Sequence, residues 1–268
     1  MEQTLIELLL LGLLCGLAGG VIGGTLAGLA GVGGGLIYVP LFYMTMPGDH
    51  ETLSMHIFGS LVAVAITGFF SARAHWRLGH VQTGVLKQLY PGLIIGAAIG
   101  LWSTLQIPEA FILLALAGLD LWVARDFGKQ QEIRGNMPLA LASGPIGYLS
   151  GALGIGGGTM LVPLLRRAVS LREAVGTSAA CGMLMAIGAV LFNLLFEPVW
   201  QDQISDTLYF LIGAWAGILI IIPMASGWSA WLHASVQEVT MRKTLKTLFY
   251  LLAACMILAA ATGELAIS

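Results

Sequence analysis

The chain has 268 residues, of which 57% are hydrophobic and only 10% are charged, whereas about a quarter of the residues of a typical soluble domain are charged. This composition excludes a water-soluble globular protein. The formal net charge of -2 gives no reason to expect a nucleic-acid partner. The three cysteines lie in apolar segments, so neither a disulfide framework nor a metal site is indicated, and no cofactor is expected.

The basic residues predict the membrane topology. All twelve fall in four clusters, at residues 73–87, 125–134, 166–172 and 242–246. The positive-inside rule places these clusters on the cytoplasmic side, and connections without Lys or Arg outside. Because a spanning helix needs about 20 mostly apolar residues, the apolar runs between the clusters predict an all-α, polytopic membrane protein.

In chain order, the first apolar stretch covers residues 5–46, and a similar stretch covers 137–165. Each must begin and end on the same side, which predicts a helical pair, either two full passes or a re-entrant hairpin; a single long helix is the alternative. Three single passes follow each pair, at 54–72, 88–102 and 109–124 and then at 174–196, 207–225 and 247–262. The two halves are then inverted repeats, with both termini external.

An internal repeat supports this division. The segment GVGGGLIYVPL at 31–41 recurs as GIGGGTMLVPL at 154–164. We expect a first repeat at 1–127, a cytoplasmic linker at 128–134 and a second repeat at 135–268. Three consecutive glycines in each segment favour a helix break, whereas the four-residue spacing of glycines between 12 and 28 suits close helix packing.

Paired broken helices in inverted halves are typical of the central site of a transporter. Free N–H groups at a helix start attract anions, and no Lys or Arg lies at mid-membrane depth in this topology. Backbone amides and uncharged side chains would then hold the anion. The candidate substrate-binding residues are Gly33, Gly34, Gly35, Tyr38, His56, Ser60, Gly156, Gly157, Gly158, Thr159, Thr177, Ser178 and Asn193.

Several of these polar residues also have structural interpretations. His56 could hold an oxyanion or form a structural hydrogen bond. The hydroxyls of Thr177 and Ser178 could bind substrate or bond back to helix carbonyls, and Asn193 suits an interhelical hydrogen bond.

Three acidic residues are candidates for coupling or gating. Asp120 could carry a proton, although it lies five residues from Arg125 and is expected to stay solvated. Glu51 and Glu173 lie at helix starts, where the helix dipole stabilises acidic side chains. Their symmetric positions in the two halves also suit a role in gating.

The motifs together resemble the TauE/SafE family of membrane permeases. They are the duplicated Gly-x-Gly-Gly-Gly-x4-Pro element, the AVGTS segment at 174–178 after an Arg-Glu pair, and RLGHV at 77–81 before Pro91-Gly92. The resemblance implies a multi-pass permease for small sulfur-containing anions, chiefly sulfite and organosulfonates. The first half departs from the family pattern, because Ser54-Met55-His56 replaces the expected Thr-Ser pair.

The sequence therefore predicts a secondary transporter of the cell (inner) membrane that exports a small sulfur-containing anion by alternating access. Its expected partners are this anion and the lipid bilayer, and an oligomer is compatible with the sequence. A channel-like or accessory membrane subunit, or a carrier of a different small anion, remains an alternative. An enzyme is not expected, because no metal-ligand spacing, nucleophile motif or catalytic constellation is present in the sequence.

Overall fold

The computed structural model describes residues 2–30, 34–46, 53–104, 106–126, 139–166, 168–196, 204–235 and 238–267. These ranges contain ten helices and no strand. The helices are α1 Glu2–Ala30, α2 Gly35–Thr45, α3 Leu53–Arg77, α4 Thr83–Thr104, α5 Glu109–Asp126, α6 Leu139–Leu153, α7 Gly158–Leu165, α8 Leu171–Phe196, α9 Ile204–Ser235 and α10 Glu238–Ile267. Five helical segments among the described residues are long and apolar enough to cross a membrane, and they lie in α1, α3, α4, α8 and α9. The predicted all-α, polytopic class is confirmed.

Each glycine-rich stretch forms two helices separated by a break, as predicted. Gly34 precedes α2 with φ 72°, and Gly154, Gly156 and Gly157 separate α6 from α7 with φ between 67° and 72°. Residues with a side chain rarely adopt these left-handed values, so the glycines permit the breaks. The alternative of one long helix in each stretch is therefore wrong.

The second helix of each pair is short. The 11 residues of α2 extend about 16 Å and the 8 residues of α7 about 12 Å, whereas the bilayer core is about 30 Å thick. The return of α2 along α1 is marked by a contact of 3.2 Å between Cys15 Sγ and Thr45 Oγ1. The second helices are therefore too short to span the bilayer core alone, whereas α1 is long enough to do so.

Glycines bring α1 against α9. A Cβ atom placed on Gly12 would lie 2.0 Å from the carbonyl oxygen of Phe210, and one on Gly16 would lie 1.9 Å from that of Ala214. The same close approach recurs between α4 and α6, where a Cβ on Gly100 would lie 2.1 Å from the carbonyl oxygen of Tyr148. The glycines of α1 thus pack helices, as their spacing predicts.

Equivalent helices of the two halves make equivalent contacts. α1 packs on α9 as its repeat counterpart α6 packs on α4, while α3 packs on its counterpart α8 and α5 on α10. α3 and α8 run antiparallel, because Gly68 lies against Met183 and Gly176 lies against His75. The linker predicted at 128–134 lies outside the described residues, and the orientation of each half in the membrane stays a prediction.

Candidate functional site

The two helix breaks meet inside the protein. Gly35 opens α2, and a Cβ atom placed on it would lie 2.4 Å from the carbonyl oxygen of Ile155 in the second break. Ser60 of α3 donates a 2.7 Å hydrogen bond to the carbonyl oxygen of Gly154. From α8, a Cβ on Gly182 would lie 2.5 Å from the carbonyl oxygen of Gly156. Helices α2, α3 and α8 therefore enclose the second break.

The start of α7 presents uncapped backbone amides. Gly157 is the N-cap residue, with φ 70° and no side chain to cap the helix. Its carbonyl oxygen accepts bonds of 3.1 Å and 2.9 Å from the N–H groups of Met160 and Leu161. The preceding amides, those of Gly158 and Thr159, have no acceptor within the helix and lie at its positive end.

Two buried hydroxyl groups adjoin this helix start. Ser150 of α6 is 0% exposed and Thr159 of α7 is 5% exposed. Neither hydroxyl oxygen has a hydrogen-bond partner among the described residues. A Cβ placed on Gly157 would lie 3.1 Å from Ser150 Oγ, so this hydroxyl points at the break. Sequence reasoning missed Ser150.

The first break is lined differently. The repeat register that pairs Gly31 with Gly154 places Ala27 at the counterpart of Ser150 and Leu36 at that of Thr159. Both residues are buried. The buried hydroxyl of Tyr38 lies against α1, 2.6 Å from the position of a Cβ on Gly23. This difference between equivalent positions is the signal that could have identified Ser150.

The side-chain candidates of α3 and α8 do not all converge on the break. Ser178 Oγ donates to the carbonyl oxygen of Gly158 at 3.3 Å, so Ser178 lies at the start of α7. His56 is buried one turn before Ser60, with its ring centroid 5.3 Å from that of Tyr43. Asn193 is buried and lies fifteen residues, about 22 Å along the helix, beyond Ser178.

Thr177 and Glu173 contact the turn between α3 and α4. Thr177 Oγ1 accepts a 3.0 Å bond from the backbone N–H of Gln82, and the Gln82 side chain donates to Glu173 Oε1. Glu173 Oε2 also accepts a 2.9 Å bond from the N–H of Ser170, whose hydroxyl accepts from the N–H of Glu173 at 3.4 Å. This reciprocal pair is a capping box, and it explains why an acid lies at this helix start.

Asp120 differs from its expected environment. It is 0% exposed, so the expectation that it stays solvated near Arg125 is wrong. Neither carboxylate oxygen has a hydrogen-bond partner among the residues that the structure describes. The side chain belongs to the face of α5 that also buries Leu116 and Val123. Two further candidates, Gly33 and Glu51, lie outside the described residues.

Comparison with known proteins gives two matches. A family model described as "Sulfite exporter TauE/SafE" matches residues 15–260. The chain is also 31% identical over 179 residues to a curated protein of Haemophilus influenzae named "Probable membrane transporter protein". That alignment covers 61% of this chain and 67% of the relative. No solved structure gives a significant match.

Proposed function

Because the chain belongs to the sulfite exporter TauE/SafE family of membrane transporters, we propose that it is a secondary transporter that exports a small sulfur-containing anion such as sulfite. Membership confirms the resemblance carried by the glycine-rich motifs, and with the five candidate spans it makes the chain a multi-pass membrane protein. We place it in the inner membrane with both termini external, following the positive-inside rule. Transport, not enzymatic chemistry, is the proposed activity.

The observation that carries the proposal is the enclosed second break. It combines the uncapped start of α7 with buried hydroxyl groups, which suits a negatively charged ligand. Among the described residues no Lys or Arg side chain is buried, so the donors proposed at the second break are uncharged hydroxyl and amide groups. Uncharged donors stabilise an anion without binding it as an ion pair, which favours its release on the other side.

Alternating access follows from the two-half organisation. We assign the halves to residues 1–127 and 135–268 and propose that they are inverted in the membrane. The exchange of packing partners between halves and the antiparallel run of α3 and α8 support this assignment. The two breaks meet where the halves meet, which is the position of the substrate site when one half rocks against the other.

The remaining candidates keep secondary roles in the proposal. In the first half Ser60 borders the anion, because it contacts the second break. Tyr38, His56 and, farther along α8, Asn193 stay candidate binding residues. Thr177 and Glu173 adjoin the turn after α3, which is a suitable place for a gate. Asp120 is the candidate for coupling export to a proton, since a carboxylate in lipid is a functional hypothesis by default.

The test is flux in proteoliposomes that contain the purified protein. We expect saturable movement of sulfite, or of thiosulfate or a small sulfonate, that exceeds the leak of protein-free vesicles. Counterflow, in which internal anion accelerates uptake of labelled anion, should accompany it. Flux that rises linearly with concentration and shows no counterflow would indicate a channel. Absence of flux for every sulfur anion tested would refute the proposed substrate class.

A glycine substitution tests the role of the breaks. Gly34→Leu or Gly157→Leu should abolish transport while the protein still inserts, because a side chain at these left-handed positions distorts the helix start. Gly118→Leu is the control, since nothing lies within 4 Å of a Cβ placed on Gly118. Unimpaired transport in the two break variants would show that these glycines only pack helices.

A further inference from the structure

We propose that the second half alone supplies the donors of the anion site. The hydroxyls of Ser150 and Thr159, with the backbone amides of Gly158 and Thr159, form a single oxyanion-binding site at the start of α7. This inference rests on the proposed function, and it adds Ser150 as a binding residue. The ligand class is a small oxyanion with several acceptor oxygens on one central atom.

Ser150 is placed to donate into the break, and Thr159 lies at the helix start beside it. Ser150 Oγ lies 3.1 Å from the position of a Cβ on Gly157, the residue whose missing side chain leaves the α7 amides open. Thr159 is the second residue of α7, so its hydroxyl and its N–H are both at the positive end of the helix. A ligand oxygen at this end can therefore accept from hydroxyl and amide together.

Two other buried hydroxyls are satisfied within their own helix, whereas Tyr38, whose hydroxyl lies against α1, and Ser71 in α3 also lack a partner among the described residues. Ser143 Oγ, two turns before Ser150 in α6, donates to the carbonyl oxygen of Ala140 at 2.7 Å. Thr67 Oγ1 donates to that of Ala63 at 2.8 Å. This back-bonding is the usual way to satisfy a helical hydroxyl. Ser150 and Thr159 lack a partner among the described residues, and burying such a group costs folding free energy.

The first half shows that the fold does not require these hydroxyls. Ala27 and Leu36 occupy the equivalent positions beside the first break and are 3% and 0% exposed. Apolar side chains thus pack well at both positions of the repeat. Polar groups in only one of two equivalent places, at a cost in stability, indicate a ligand that binds on that side.

The test measures sulfite affinity in three single variants. Ser150→Ala and Thr159→Val each remove one hydroxyl, and Ser143→Ala is the matched control because its hydroxyl is already bonded within α6. A hydrogen bond to a charged ligand accounts for roughly a tenfold or larger change in affinity. We expect the KM of sulfite flux to rise at least about tenfold in the first two variants and to stay close to wild type in Ser143→Ala. Thr159→Ser, which keeps the hydroxyl, should also stay close to wild type.

A binding measurement separates this inference from the proposed function. Thermal stabilisation of the detergent-purified protein by sulfite, sulfate and phosphate reports binding without transport. If wild type transports sulfite and the KM is unchanged in both hydroxyl variants, the inference is wrong and the function stands. Alternatively, the wild type transports no sulfur anion, but an oxyanion stabilises it more than it stabilises Ser150→Ala and Thr159→Val. In that case the proposed function is wrong and the inference stands. No stabilisation of wild type by any oxyanion would refute the inference.

Discussion

Gly157→Ala, compared with Gly79→Ala, separates backbone strain from loss of the anion site. Gly157 has φ 70° and Gly79, in the turn after α3, has φ 71°. An alanine at either position must adopt the left-handed region, which costs about 1–2 kcal/mol. The surroundings differ. Nothing lies within 4 Å of a Cβ on Gly79, whereas a Cβ on Gly157 would lie 3.1 Å from Ser150 Oγ and 3.5 Å from side-chain carbons of Leu161 and Met185.

The two variants should therefore lose similar stability and differ in transport. A contact of 3.1 Å needs a shift of only a few tenths of an ångström, so left-handed strain of about 1–2 kcal/mol is the main cost at both positions. The methyl group of Gly157→Ala, however, occupies the space beside the Ser150 hydroxyl. An anion oxygen must come within about 3 Å of its donors, and loss of one such bond costs about 1.5–3 kcal/mol. The KM of sulfite flux should rise about 10- to 100-fold.

The assay is sulfite flux into proteoliposomes with equal amounts of each variant, together with the unfolding midpoint of each purified protein. Gly79→Ala should match the stability loss of Gly157→Ala and keep the wild-type KM. A Gly157→Ala protein whose KM equals that of Gly79→Ala would refute the placement of the anion at the start of α7. Equal and large increases of KM in both variants would attribute the effect to the backbone instead.

Three further predictions test the packing, the turn and the coupling candidate. Gly16→Ala should lower the free energy of unfolding by about 1–3 kcal/mol, because its Cβ would lie 1.9 Å from a carbonyl oxygen of α9. Gly118→Ala is the control and should leave stability unchanged, since nothing lies within 4 Å of its Cβ, and the unfolding midpoints of the two variants test this difference. Thr177→Val should cost about 1–3 kcal/mol, since it leaves the N–H of Gln82 without its acceptor, and an unchanged KM for sulfite would assign Thr177 to the turn. Asp120→Asn should change the unfolding midpoint little, because asparagine has almost the same size and shape as the buried Asp120 side chain. It should abolish any stimulation of flux by a pH gradient, and stimulation equal to wild type would exclude Asp120 as the proton carrier.

The helix breaks could be predicted from the sequence because their cause is local. Consecutive glycines at 156–158 have no role in packing on three faces of one helix, and the structure shows left-handed backbone at Gly156 and Gly157. The packing role of the α1 glycines could also be predicted, because a four-residue spacing places Gly12 and Gly16 on one face of the helix. Their partner helix α9 lies about 200 residues away in the chain, and no local pattern identifies it.

The side-chain environments could not be predicted for the same reason. The hydroxyl of Thr177 accepts from Gln82, 95 residues away in sequence, so its role depends on how the turn after α3 packs on α8. The burial of Asp120 depends on the packing of α5 against α10, which outweighs the nearness of Arg125 in sequence. Ser150 is one of two serines in α6, and in the sequence only the comparison with Ala27 distinguishes it.

The contact between Ser60 and Gly154 connects the proposed site with the proposed motion. Ser60 belongs to the first half, and its hydroxyl donates to a carbonyl oxygen of the break in the second half at 2.7 Å. Gly35, also in the first half, packs against the next residue of that break, Ile155. On the proposed mechanism, a rocking of the halves must change both contacts, because they join the moving parts directly. The first half thus contacts the carbonyl oxygens of Gly154 and Ile155, and the proposal assigns the amides at the start of α7 to the anion. On this proposal the site changes shape whenever the halves move, and its donors are hydroxyl and amide groups, since no Lys or Arg side chain is buried in the described part of the chain.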